Sequence, residues 1–175
     1  MDLQGIRQTL TTEEFSSISA PEKEFIIAFD DEMSALGYPS LGRIGNGYCW
    51  GQHMIICAKD GVVAGGGIKG KPVIARIFIR DHKIRLRLFL NQMEKHTTYL
   101  EQSHEEILKV LTGPEGLCIH CHNEHEEHCR FRKTYNLFGK TYERCNGEVF
   151  FFSDVRLELV PIYSALLKEF YGKKR

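Results

Sequence analysis

Residues 73–90, VIARIFIRDHKIRLRLFL, decide how this chain folds. Val73, Ala75, Ile77 and Ile79, and then Ile84, Leu86, Leu88 and Leu90, recur at every second position, the period of strands that bury one face. Asp81, His82 and Lys83 lie between the two runs and read as the turn of an antiparallel hairpin. The opposite face carries Arg76, Phe78 and Arg80 from the first run and Arg85, Arg87 and Phe89 from the second. Arginines paired to acids on a wet sheet face account for the four guanidiniums. Two aromatic rings among them fit a concave ligand pocket or a stacking surface better.

Working outward, residues 21–36 place Phe25, Ile26, Phe29, Met33 and Leu36 on one helical face. Ser19 and Glu22 form a capping box before them, and Gly37 suits the left-handed residue that ends a helix. Thr11 and Glu14 predict a shorter capped turn. Residues 45–58, GNGYCWGQHMIICA, have the aromatic and branched content of a strand, and the five glycines of residues 59–72 read as a loop. A helix starts after Asn91, restarts at Ser103 and stops at Gly113 and Pro114. Residues 130–135 and 140–144 pair as strands across 136–139, residues 148–152 supply another strand, and residues 161–171 close the chain as a helix. The order predicts one α+β domain, residues 1–175, with a mainly antiparallel sheet flanked by helices and a soft internal boundary near 113–117.

Residues 118–145 hold four of the six cysteines and four of the eight histidines. Cys118 and Cys121 form a C-x2-C pair, and Cys129 and Cys145 complete four thiolates, the number a tetrahedral structural zinc takes. The expected ligands are Cys118, Cys121, Cys129 and Cys145, with His128 as the substitute among His120, His122, His125 and His128. Arg130, Arg132, Lys133 and Arg144 would favour the deprotonated thiols. Four cysteines close a site, whereas catalytic zinc keeps a position for water. The run HNEHEEH lacks H-E-x-x-H, and deaminase chemistry requires H-x-E upstream of P-C-x-x-C, whereas His122-Asn123-Glu124 lies downstream of the C-x2-C pair, which Leu117 rather than proline precedes. Zinc is therefore expected as a structural staple of the C-terminal segment.

The motifs NGYCWG, CIHC, CRFRKTY, YERCNGEVFFF and LLKEFY resemble, over roughly residues 30–172, a family of small bacterial proteins of unknown function that share a C-terminal cysteine cluster. The resemblance implies that the cysteines, the Arg132 and Lys133 pair and the GYCWG turn act as one unit, and it implies no activity.

Equal numbers of acidic and basic residues leave no net charge to draw the chain to nucleic acid or an anionic membrane. No apolar run approaches 18 residues and the first residues have no signal-peptide pattern, so a cytoplasmic protein is expected, with thiols or metal ligands rather than disulfides. The leading functional reading is a small-molecule or anion-binding domain. Tyr48, Trp50, Phe78 and Phe89 are its walls, and Arg76, Arg85 and Arg87 clamp the anion. One alternative is a nucleic-acid module that stacks bases on the rings and meets phosphates with the arginines and the zinc loop. A second is an enzyme with Cys49 or a zinc thiolate as nucleophile and His53 or His96 as base, although no spacing joins these into a triad.

Overall fold

A computed structural model describes residues 4–46, 52–61, 70–117, 129, 132–147 and 149–172. In chain order the helices and strands are α1 (Gln4–Thr9), α2 (Ala20–Leu36), β1 (Gly45–Asn46), β2 (His53–Ala58), β3 (Val73–Arg80), β4 (Lys83–Leu88), α3 (Thr97–Glu101), α4 (Glu105–Thr112), β5 (Arg132–Leu137), β6 (Lys140–Cys145), β7 (Phe151–Phe152) and α5 (Val160–Tyr171). Short 3-10 turns at Glu13–Phe15, Met93–His96 and Leu157–Leu159 join them. The fold is α+β. Its main sheet has five strands in the order β1-β2-β3-β4-β7, and β5 and β6 form a separate pair. The chain forms two compact units, Met1–Phe89 with Phe152–Arg175, and Leu90–Phe151.

In the first unit the hairpin forms as its alternation demands. Ala75, Ile77 and Ile79 stand opposite Leu88, Leu86 and Ile84, and all six are buried. Asp81 and His82 both take positive φ, 49° and 65°, as the two central residues of a tight hairpin turn whose twist matches the strands. Leu90 does not continue the alternation: β4 ends at Leu88, and Leu90 opens the second unit. Strand β2 pairs antiparallel with β3, bringing Ile55 beside Ile77 and Cys57 beside Ala75 on the same buried face.

Helices cover that face. Helix α2 begins with the expected capping box, in which Ser19 Oγ accepts from Glu22 N and Ser19 N donates to the Glu22 carboxylate, and Gly37 ends it at φ 91°. The other Glu22 oxygen accepts from Ile84 N at 3.3 Å, so the cap also ties the helix to β4. Phe25 meets Tyr163 of α5 edge-on at 6.2 Å, and Ser164 donates to Glu32 at 2.5 Å. Phe25, Ile26, Phe29, Met33, Leu166 and Leu167 are buried, each stabilising the fold by about 1.5–3 kcal/mol.

Several local expectations change. Residues 45–58 are two strands, β1 and β2, rather than one. Before α2, Thr11 and Thr12 turn their hydroxyls back to Gln8 O and Thr9 O, so the predicted Thr11 cap does not form. Helix α4 is capped by His104, whose Nδ1 accepts from Glu106 N, while Ser103 donates to Tyr99 O. An imidazole nitrogen does here what a serine oxygen does at most caps.

The second unit contains α3, α4, β5 and β6. Its hairpin pairs Tyr135 with Tyr142 and Lys133 with Arg144, and the turn is only Phe138 and Gly139, φ 52° and 70°. Residues 113–117 lie within this unit: Gly113 closes α4, and Leu117 bridges Arg144. Among the described residues no helix is long and apolar enough to cross a membrane.

Candidate anion-binding site

The face of the first unit's hairpin that carries the arginines is built by strand register. Arg76 stands directly opposite Arg87, and on its other side Ile56 of β2 is its partner. One row along, Phe78 stands between Met54 and Arg85. Like charges opposite one another on a sheet destabilise it unless something intervenes. Phe89 intervenes. Its ring centroid lies 4.7 Å from the Arg87 guanidinium carbon and 5.3 Å from that of Arg76, so both cations meet one aromatic ring.

Phe89 is held from two directions. Its N–H donates to Ile74 O at 2.9 Å, and its carbonyl accepts from the Tyr171 hydroxyl at the end of α5. Burial, reinforced by Tyr38 nearby, pushes the Tyr171 phenol up to about 12, so it remains a donor through the physiological range. The ring that meets the arginines is thus carried on a backbone tied at both its donor and its acceptor.

The four arginines of this face have different surroundings. Arg80 is exposed and meets the neighbouring Asp81 at 3.3 Å, and Arg85 donates from Nε to Ser153 Oγ at 3.1 Å. Arg87 is only 8% exposed. Arg76 is half-buried, and desolvation pulls its guanidinium below the usual arginine range. Its Nε is buried without a hydrogen-bond acceptor, and among the described residues no carboxylate forms an ion pair with it. Phe78 is 4% exposed and belongs to the packed interior rather than to a pocket wall. Tyr48 and Trp50 lie outside the described residues.

Ile56 and Met54 join this face although the sequence did not mark them as part of it. Their membership follows from the β2 to β3 register, and alternation within β2 alone leaves open which residue stands beside Arg76.

The cysteines divide into two groups. Cys57 is fully buried, and burial together with the Asp30 carboxylate pushes its thiol well above the ordinary range, the opposite of what a nucleophile needs. His53 lies on the same strand four residues away, about 13 Å along β2. Its imidazole instead meets Glu14 at 3.7 Å and the Phe15 ring at 5.0 Å. His96 is a buried residue of the second unit, in the turn before α3. Cys49 lies outside the described residues.

In the second unit, Cys145 stands opposite Arg132, and Arg132 N donates to Cys129 O at 2.9 Å. Cys145 N donates to Gly116 O at 2.8 Å, two residues before Cys118. The backbone that carries Cys129 and the backbone that leads to Cys118 are therefore both bonded at the Cys145 end of the hairpin. Cys129 and Cys145 are free thiols, and among the described residues no group of three or more potential metal ligands is gathered. Cys118, Cys121, His120, His122, His125 and His128 lie outside the described residues.

An open groove of about 590 Å³ runs between Pro114 and Leu117 on one side and Lys140, Tyr142 and Arg144 on the other. Arg144, 3% exposed, is committed there to structure, since Nη2 donates to Gly113 O at 2.7 Å and to Leu111 O at 3.4 Å, capping the end of α4.

No protein family, curated protein or solved structure matches this chain. The functional reading therefore rests on the chemistry of its own residues.

Proposed function

We propose that this protein is an anion-binding domain, with the anion taken at Arg76 beside Phe89 and Arg87, and with zinc as a structural staple of the second unit. The observation that carries the reading is Arg76, a half-buried cation whose Nε has no acceptor and which meets no carboxylate among the described residues. A guanidinium removed from water needs a charged partner. A ligand oxyanion supplies one, and a guanidinium against an aromatic ring keeps its in-plane donors available for two oxygens.

Calorimetric titration with carboxylates from acetate to octanoate and with inorganic phosphate tests this. Binding of at least one of these anions to the wild type, weakened about tenfold or more in Arg76→Gln, is the expected result, a charge-assisted hydrogen bond being worth that much. No heat with any of them overturns the reading. Titration with a single-stranded oligonucleotide at low salt covers the nucleic-acid alternative, for which tight, salt-sensitive binding is the signature.

Zinc would be held by the thiolates of Cys118, Cys121, Cys129 and Cys145, with His128 as the substitute. Bound there, it supplies cross-linking of the chain and no open position for substrate. The hydrogen bonds that join the Cys129 backbone to Arg132 of β5 and the Gly116 backbone to Cys145 of β6, residues that stand opposite one another, support this ligand set. Elemental analysis of protein purified without chelator is expected to find one zinc per chain. Cys145→Ser should lower both the zinc content and the melting temperature, and the intact protein should lose metal as pH falls and protons compete for the thiolates. Metal-free protein with unchanged stability overturns this part.

A further inference from the structure

The surroundings of Arg76 narrow the class of anion, and this step rests on the anion-binding reading above. On the same face Arg76 has apolar neighbours on three sides: Ile56 directly across on β2, Ile74 two residues back on its own strand, and the Phe89 ring at 5.3 Å. Ile56 is half-buried and so still has surface to cover, whereas Ile74 is fully buried. The next row, Met54 and Phe78, is buried and apolar as well. Beyond the arginines, the described side chains of these two rows offer no hydroxyl, amide or carboxylate to share the solvation of a multiply charged ligand. A phosphate dianion brought here must shed a large hydration shell beside hydrocarbon. A carboxylate has one charge, two coplanar oxygens that fit the planar fork of a guanidinium, and a body that can cover Ile56 and the free part of the Phe89 ring.

We infer that the ligand is a hydrophobic monocarboxylate, its carboxylate on the Arg76 guanidinium and its apolar body over Ile56 and Phe89. Arg76 supplies the charge contact and the row of Ile56, Arg76 and Arg87 sets its position. Affinity should therefore have two separable components, one electrostatic and constant across carboxylates, the other growing with apolar length.

Calorimetric titration of the wild-type protein with acetate, butyrate, hexanoate and octanoate, and with benzoate, inorganic phosphate, adenosine monophosphate and 1-octanol, reads both. Affinity is expected to rise along the aliphatic acids by up to about fourfold for each methylene that becomes buried. Octanol should bind at least about tenfold more weakly than octanoate, because it lacks the charge-assisted contact. Arg76→Gln should weaken every carboxylate by a similar factor while leaving the dependence on chain length, and Arg76→Lys should recover only part of the loss, having no planar fork. Octanoate bound no better than acetate overturns the inference. Binding of phosphate or the nucleotide with none of the carboxylates overturns it too, but leaves the anion-binding reading standing. Absence of binding by all of these anions removes both. The ligand series is read on the unaltered protein, so these outcomes do not depend on a variant folding.

Discussion

Gly42 shows how much one residue can carry. It sits at φ 68°, and a Cβ added there would lie 2.7 Å from Gly5 Cα and 2.9 Å from Ile6 N, so α1 can approach the loop after α2 only where both residues lack side chains. Gly139 has nearly the same backbone angle, φ 70°, but a Cβ there meets nothing within 4 Å. Gly42→Ala is therefore expected to lose about 2–3 kcal/mol in urea unfolding and Gly139→Ala only about 1 kcal/mol, the cost of the left-handed conformation alone. Equal losses would show that the close approach contributes nothing. Glycine content marked residues 59–72 as a loop, but a glycine needed for contact looks the same in sequence as one needed for a turn. Only the partner, 37 residues away, separates them.

At the scale of elements, the two hairpins compare usefully. Both turn through two residues at positive φ, Asp81 and His82 in the first unit and Phe138 and Gly139 in the second. Aspartate tolerates that conformation, whereas phenylalanine is poorly suited to it, and Phe138 is 56% exposed with little packing in return. Its N–H donates to Glu101 at 2.6 Å, a bond any residue keeps. Phe138→Asn is expected to raise the urea midpoint, by up to about 1 kcal/mol in stability, since Asn-Gly is the favoured pair for this turn. A lower midpoint would mean that the ring packs more than its exposure implies. The mismatch explains why the sequence indicates a longer turn, 136–139: phenylalanine gives no turn signal, and pairing of Asn136 with Thr141 and Leu137 with Lys140 is decided across the strands. Capping boxes are legible because both partners lie within four residues, as Ser19 and Glu22 do. The α4 cap falls one residue beyond the position the sequence indicates, because histidine seldom caps and Ser103 offers the commoner chemistry.

Both units contain a tyrosine whose phenol is raised to about 12, Tyr135 and Tyr171, each mainly by burial. The folded protein holds these protons more tightly than the unfolded chain, whose phenols titrate near 10. Their contribution is thus fully present below pH 10 and is lost as pH rises from about 10 through about 12. Stability in urea should fall across that window. Tyr135→Phe should be less stable at pH 8, having lost the 2.6 Å bond to Leu111 O, yet show a flatter decline above pH 10. A decline as steep as wild type would assign the alkaline lability to other groups.

For the molecule as a whole, the alternation in residues 73–90, the helical face of α2, its cap and its terminating glycine were determined by the sequence itself, because each depends on neighbours within a few residues and on whether a side chain prefers water. The tertiary structure alone decided that Ile56 stands beside Arg76, that one phenylalanine meets two arginines while the other is buried, that Glu22 reaches β4, and that Cys145 of β6 bonds the backbone leading to Cys118 while standing opposite Arg132 of β5. Those are matters of register and long-range approach. A slip of one residue between β2 and β3 would keep every local preference intact and remove Ile56 from the arginine face.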